Sequence, residues 1–110
     1  MRLKTEFWIR ALIRQQAQRG NIATIVKKGD IDAGTPYIIL IDRNRNIAVF
    51  RERALADGWE RLPMESQGDL DSFLIRQEKY DPDLWILELE TSVVSDPIEK
   101  ELTTRHGSSD

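Results

Sequence analysis

"KKGDIDAGTPYIIL", Lys27 to Leu40, is the stretch on which the fold turns. Two aspartates, Asp30 and Asp32, lie between Gly29 and Gly34, and an apolar run follows Pro36. An unbroken apolar run, "YIILI" over Tyr37–Ile41, predicts a strand buried on both faces in the middle of a sheet. The residues before it, Gly29 to Pro36, then form a loop. In that loop Asp30 and Asp32 are expected to accept hydrogen bonds from nearby backbone N–H groups. Gly34 is expected at positive φ, and Pro36 stiffens the strand entry.

On the N-terminal side, Thr5 is expected to cap a helix over Glu6–Arg19, with Gly20 as its stop. Phe7, Trp8, Ile9, Ala11, Leu12 and Ile13 spread over more than half of its circumference, which predicts packing on two sides. Arg10 and Arg14 are spaced i, i+4 on the remaining polar arc. "NIATIVKKG", residues 21–29, follows as a β-branched strand.

On the C-terminal side, "DRNRN", 42–46, has turn composition, and "IAVFRER", 47–53, pairs back antiparallel. "ADG", 56–58, marks a second turn, and "WERL", 59–62, a short strand stopped by Pro63. "SQGDLDSFLIRQEKY", 66–80, opens on Ser66 or Asp69 as cap and places Leu70, Phe73, Leu74 and Tyr80 on one face. Pro82 ends that helix. In "LWILELE", 84–90, Trp85, Leu87 and Leu89 share one face of a last strand, and Leu84, Ile86, Glu88 and Glu90 the other.

The expected order is α-β-β-β-β-α-β: an α+β domain over residues 1–91 with a mainly antiparallel sheet of four to five strands and both helices on one face. Residues 92–110 lose the pattern and are expected to form a mobile tail. Several strands carry apolar side chains on both faces. Helices on one face would leave the other bare, so a homodimer is expected.

Charge is uneven along the chain. Residues 1–29 carry seven basic and one acidic side chain, whereas residues 56–110 carry five basic and fourteen acidic. Attraction between the halves accounts for this, within one chain or between copies, and the net charge of −3 speaks against nucleic acid as the main partner. The chain has no cysteine, which excludes disulfide frameworks, thiolate metal sites and cysteine nucleophiles. Apolar stretches near the N-terminus, Phe7–Ile9 among them, reach only three residues, far short of a signal-peptide core, and no run approaches a membrane span. A cytoplasmic location is expected.

"RLKTEFWIRALIRQ", "KKGDIDAGTPYIIL" and "EKYDPDLWILELE" together resemble a small family of uncharacterised alphaproteobacterial proteins, a domain of unknown function, over residues 2–90. The resemblance implies a small cytoplasmic bacterial domain. It supplies no activity, cofactor or partner.

Candidate chemistry gathers in few places. The Asp-x-Asp of Asp30 and Asp32 is similar to phosphotransferases with an aspartate nucleophile, but Lys27, Lys28 and Gly29 separate it from its strand and the threonine falls one place late. Calcium loops need later oxygen ligands that are missing. "PDLWILELE" echoes a metal-nuclease pattern, with Glu90 where the lysine belongs. His106, the only histidine, lies in the tail, which removes histidine triads and multi-histidine metal sites from the body. No catalytic residue, metal ligand or cofactor is assigned.

Arg10, Arg14, Asp30, Asp32, Asp81 and Asp83 remain as candidate binding residues. Either the arginines pair with those aspartates and order the loops, or the six form a carboxylate–arginine pocket for a metal or phosphate ligand. The leading expectation is a non-enzymatic protein-interaction module, homodimeric and binding another protein. The alternatives are the ligand-binding pocket, with a minor enzymatic role, and an RNA contact through the basic N-terminal half.

Overall fold

The computed structural model of the chain describes residues 4–53 and 58–91. The elements are α1 (Thr5–Gln18), β1 (Ile22–Lys27), β2 (Pro36–Ile41), β3 (Ile47–Glu52), β4 (Trp59–Met64), α2 (Gln67–Tyr80) and β5 (Trp85–Glu90), in the expected order. The expected tail over 92–110, with His106, lies outside the described residues, as do Ala56 and Asp57 of the "ADG" turn. Gly58 of that turn has φ +103°, a conformation that favours glycine.

The sheet has five strands in the order β1-β5-β2-β3-β4. It is mostly antiparallel: β1 with β5, β2 with β3, and β3 with β4. β2 and β5 run parallel, with Ile38 opposite Leu87 and Leu40 opposite Leu89. The chain reaches β5 only after passing through β3, β4 and α2, so β5 can enter the sheet centre beside β2 in the parallel sense. The run Tyr37–Leu40 is buried throughout, as a central strand requires.

The helices lie on opposite faces, which corrects the expectation that both share one. Trp8, Ile9 and Leu12 of α1 pack on Ile38, Leu40, Phe50, Trp85, Leu87 and Leu89. Leu70 and Phe73 of α2 pack on Tyr37, Ile39, Val49, Leu84 and Ile86 from the other side. The alternation within β2 and β5 therefore has an internal explanation: each face has its own helix. The two faces of "LWILELE" divide as the period of two predicts.

Local chemistry sets the helix ends. Thr5 is the first residue of α1, not its cap; Lys4 holds the cap position and makes no side-chain capping bond. At the other end Gly20, with φ +83°, donates its N–H to the Ala17 carbonyl at 3.0 Å, and Asn21 donates to the Gln16 carbonyl at 2.9 Å. That pair of bonds is the Schellman arrangement, and it confirms Gly20 as the stop. Ser66 caps α2 by accepting the Asp69 N–H at 3.1 Å.

Three side chains depart from expectation. Phe7 is 62% exposed and Tyr80 86% exposed, so neither belongs to the core. Pro63 does not stop β4, which continues to Met64 and pairs Pro63 with Ala48. β4 is an edge strand and needs ladder bonds on one side only, which is why proline is tolerated there.

Candidate functional site

The loop joining β1 to β2 packs against two other segments, the turn before β5 and the start of α1. Its residues have separate structural tasks. Lys27 donates from Nζ to the carbonyls of Pro82 and Leu84, each at 2.9 Å. Lys28 pairs with Glu6 of α1 at 3.1 Å. The Asp30 N–H donates to the Asp83 carbonyl at 2.9 Å, and the indole N–H of Trp85 donates to the Asp30 carbonyl at 2.7 Å.

The glycines permit the close approach. A Cβ on Gly29 would fall 2.5 Å from the Leu84 carbonyl oxygen and closer still to that of Asp83. A Cβ on Gly34 would collide with the Asp83 carbonyl oxygen and fall 2.8 Å from Cδ1 of Trp85. Gly34 is absent from the positive-φ glycines, which corrects the expected reason for it: the position lacks room for a side chain.

The same loop closes the start of α1. The N–H groups of Thr5 and Glu6 donate to the carbonyls of Asp32 and Ile31 at 3.2 and 3.0 Å. The buried Thr5 hydroxyl donates to the Gly34 carbonyl at 2.8 Å. Loop carbonyls thus satisfy helix N–H groups that a capping side chain would otherwise take.

The six candidate residues divide accordingly. The Asp30 carboxylate accepts the backbone N–H groups of Asp32 and Ala33 at 3.2 and 2.8 Å, an Asx turn. The Asp32 carboxylate faces Lys4 at 3.7 Å and accepts no backbone bond among the described residues. The Asp81 carboxylate accepts the Asp83 N–H at 3.2 Å, while Asp83 contributes its backbone carbonyl to the junction. Arg10 pairs with Glu6 at 3.6 Å, and Arg14 is exposed. Among the described residues neither arginine forms an ion pair with any of the four aspartates, so the expected arginine–aspartate pairing gives way to lysine pairs and backbone bonds. Among the described residues, no group of three or more histidine, aspartate or glutamate side chains is placed to hold a metal ion.

Glu6 was not among the sequence candidates. The Lys28 hydrogen bond, together with the charges of Lys28 and Arg10, holds its carboxyl below the ordinary value of 4.5 against the opposing effect of burial. Its i, i+4 spacing to Arg10 is visible in the sequence; its contact with Lys28 requires the fold. The basic N-terminal half is thereby partly neutralised where it folds: Lys4, Arg10 and Lys28 face carboxylates, and Lys27 faces carbonyls.

Two other surfaces remain open. β1 is an edge strand, and Ile22 and Val26 on it are 61% and 57% exposed. Ala23 and Ile25 point to the α1 side and pack on the core. A register shift between Ile25 and Lys27 bends the end of the strand and leaves Ile22–Ile25 regular. Beside the start of β1, a cleft of about 370 Å³ opens at the ends of β2 and β5.

No helix among the described residues is long and apolar enough to cross a membrane. The family model described as "Protein of unknown function (DUF1491)" matches residues 3–99. A crystal structure of a DUF1491 family protein from Caulobacter crescentus is 35% identical, with a TM-score of 0.72, covering 83% of this chain and 88% of that one. A solution structure of a protein from A. tumefaciens is 26% identical, with a TM-score of 0.75, covering 86% and 90%. An NMR structure of a DUF1491 family protein from Caulobacter crescentus is 34% identical, with a TM-score of 0.66, covering 84% and 88%. Among curated proteins nothing matches.

Proposed function

The chain belongs to the DUF1491 family, and from that premise we propose that it is a non-enzymatic interaction module of the cytoplasm whose contact surface is the open edge of β1 and whose partner is a second copy of the chain. One observation carries this reading: Ile22 and Val26 stand exposed on an edge strand whose outer backbone row has no neighbour among the described strands. Such an edge is a template for strand addition. The opposite edge, β4, contains Pro63, which cannot donate to an added strand.

The β1 sequence suits self-pairing. An antiparallel two-fold centred on Thr24 sets Thr24 opposite its own copy and Ile22 opposite Val26. It also sets the Lys27–Lys28 end of one strand beside the Ile22 end of the other, where Glu90 pairs on β5. The cytoplasmic placement rests on the charged, cysteine-free sequence.

Size-exclusion chromatography with light scattering on the wild type, Ile22→Glu and Thr24→Pro tests this. A wild-type dimer and two folded, monomeric variants are the expected result. Dimers in all three would move the interface elsewhere. A monomeric wild type would remove the second copy as partner.

A further inference from the structure

The β2–β3 hairpin carries an arginine where turn geometry favours glycine. Asp42 is buried, and its carboxylate accepts the N–H groups of Asn44 and Asn46, each at 2.9 Å, and the Asn46 amide at 3.0 Å. The Arg45 N–H donates to the Asp42 carbonyl at 3.1 Å, which closes a tight turn and leaves Arg45 at φ +65°. It is the only non-glycine residue at positive φ among the described residues. A side chain is strained in that conformation, and glycine or asparagine would relieve it. Strain of this kind clusters where a side chain has to be aimed.

Arg45 borders a cleft at the C-terminal ends of the parallel strands β2 and β5. Arg43 and Arg45 line one side of it, and Asn21, Glu90 and Thr91 line the other. Neither arginine forms an ion pair among the described residues. Asp42, the nearest acid in sequence, has both carboxylate oxygens engaged by the turn. The Thr91 hydroxyl oxygen is buried and has no hydrogen-bond partner among the described residues. At about 370 Å³ the cleft lies in the roughly 300–1,000 Å³ range of small-molecule sites.

We propose that this cleft binds a small phosphorylated metabolite, with Arg43 and Arg45 on the phosphate. Two guanidiniums match a dianionic oxyanion in charge and in hydrogen-bond geometry. Glu90, on the opposite wall, faces the remainder of the ligand and favours a hydroxyl or amine there over a second anionic group. The site is separate from the dimer contact except that Ile22 and Glu90 border both.

The probe is inorganic phosphate, titrated into the ¹⁵N-labelled full chain at constant ionic strength set with chloride. Amide shifts that saturate at millimolar phosphate and centre on Asn21, Arg43, Asn44, Arg45 and Thr91 are expected. Arg45→Gly weakens binding about tenfold while raising the melting temperature, because it removes a phosphate donor and the strained φ together. Arg10→Gln, outside the cleft, leaves binding unchanged. Shifts that fail to saturate, that centre on Lys4, Arg10 and Lys28, or that saturate with undiminished affinity in Arg45→Gly overturn the proposal.

Discussion

The indole N–H of Trp85 donates to the backbone carbonyl of Asp30 at 2.7 Å, tying the first residue of β5 to a loop 55 positions earlier. Trp85 is fully buried in the α1-side core, so the bond fixes the loop to that core. Trp85→Phe keeps an aromatic ring but leaves the Asp30 carbonyl with only the Gly34 N–H. The expected cost, from the lost bond and incomplete filling, is about 1–3 kcal/mol by urea denaturation. A change within about 0.5 kcal/mol would mean the bond does not anchor the loop.

Gly29 and Gly34 should tolerate no side chain. Gly34→Ala and Gly29→Ala each drive a methyl into the Asp83 carbonyl, and relief requires separating the loop from the β5 turn. Each is expected to cost at least about 3 kcal/mol, seen as a large fall in melting temperature. Gly68→Ala is the control: its new Cβ meets nothing closer than the Ser66 hydroxyl at 3.7 Å. There alanine is expected to be neutral or to stabilise by up to about 1 kcal/mol, through helix propensity.

The fold was legible wherever side-chain period carried the information. "YIILI" and "LWILELE" announced their strands and faces, Gly20 announced a helix end, and the start of the second helix was narrowed to Ser66 or Asp69. Helix placement was not legible, because apolar residues on both faces of a strand are equally consistent with two covering helices and with one helix plus a partner. The parallel β2–β5 pairing was hidden for a related reason: it depends on which gap in the sheet the last strand enters.

For the candidate site, residue type was legible and partner identity was not. The Asx turn at Asp30 follows from local sequence, since its acceptors and donors lie within three residues. Lys28 with Glu6, and Gly34 with Asp83, join segments far apart in the chain. "DRNRN" was readable as a turn, yet nothing in its composition shows that Arg45 takes the left-handed position.

Acid should weaken the fold through two carboxylates. Lys28, then the charges of Lys28 and Arg10, lowers the pKa of Glu6; the Arg51 hydrogen bond at 3.0 Å lowers that of Glu60. A carboxylate whose folded pKa lies below its unfolded value stabilises the fold above the unfolded value, and that contribution disappears as pH falls through the folded one. Stability is therefore expected to hold from neutral pH down to about 4.5 and to decline below it. Glu6→Gln should flatten part of that decline in melting temperature against pH, and an unchanged profile would remove Glu6 as a contributor.

The central claim, that the β1 edge joins two copies, is tested most directly by sedimentation equilibrium of the wild-type chain at micromolar concentration. The account predicts twice the chain mass, reverting to the single mass in folded Ile22→Glu. A single mass for the wild type across that range would contradict it.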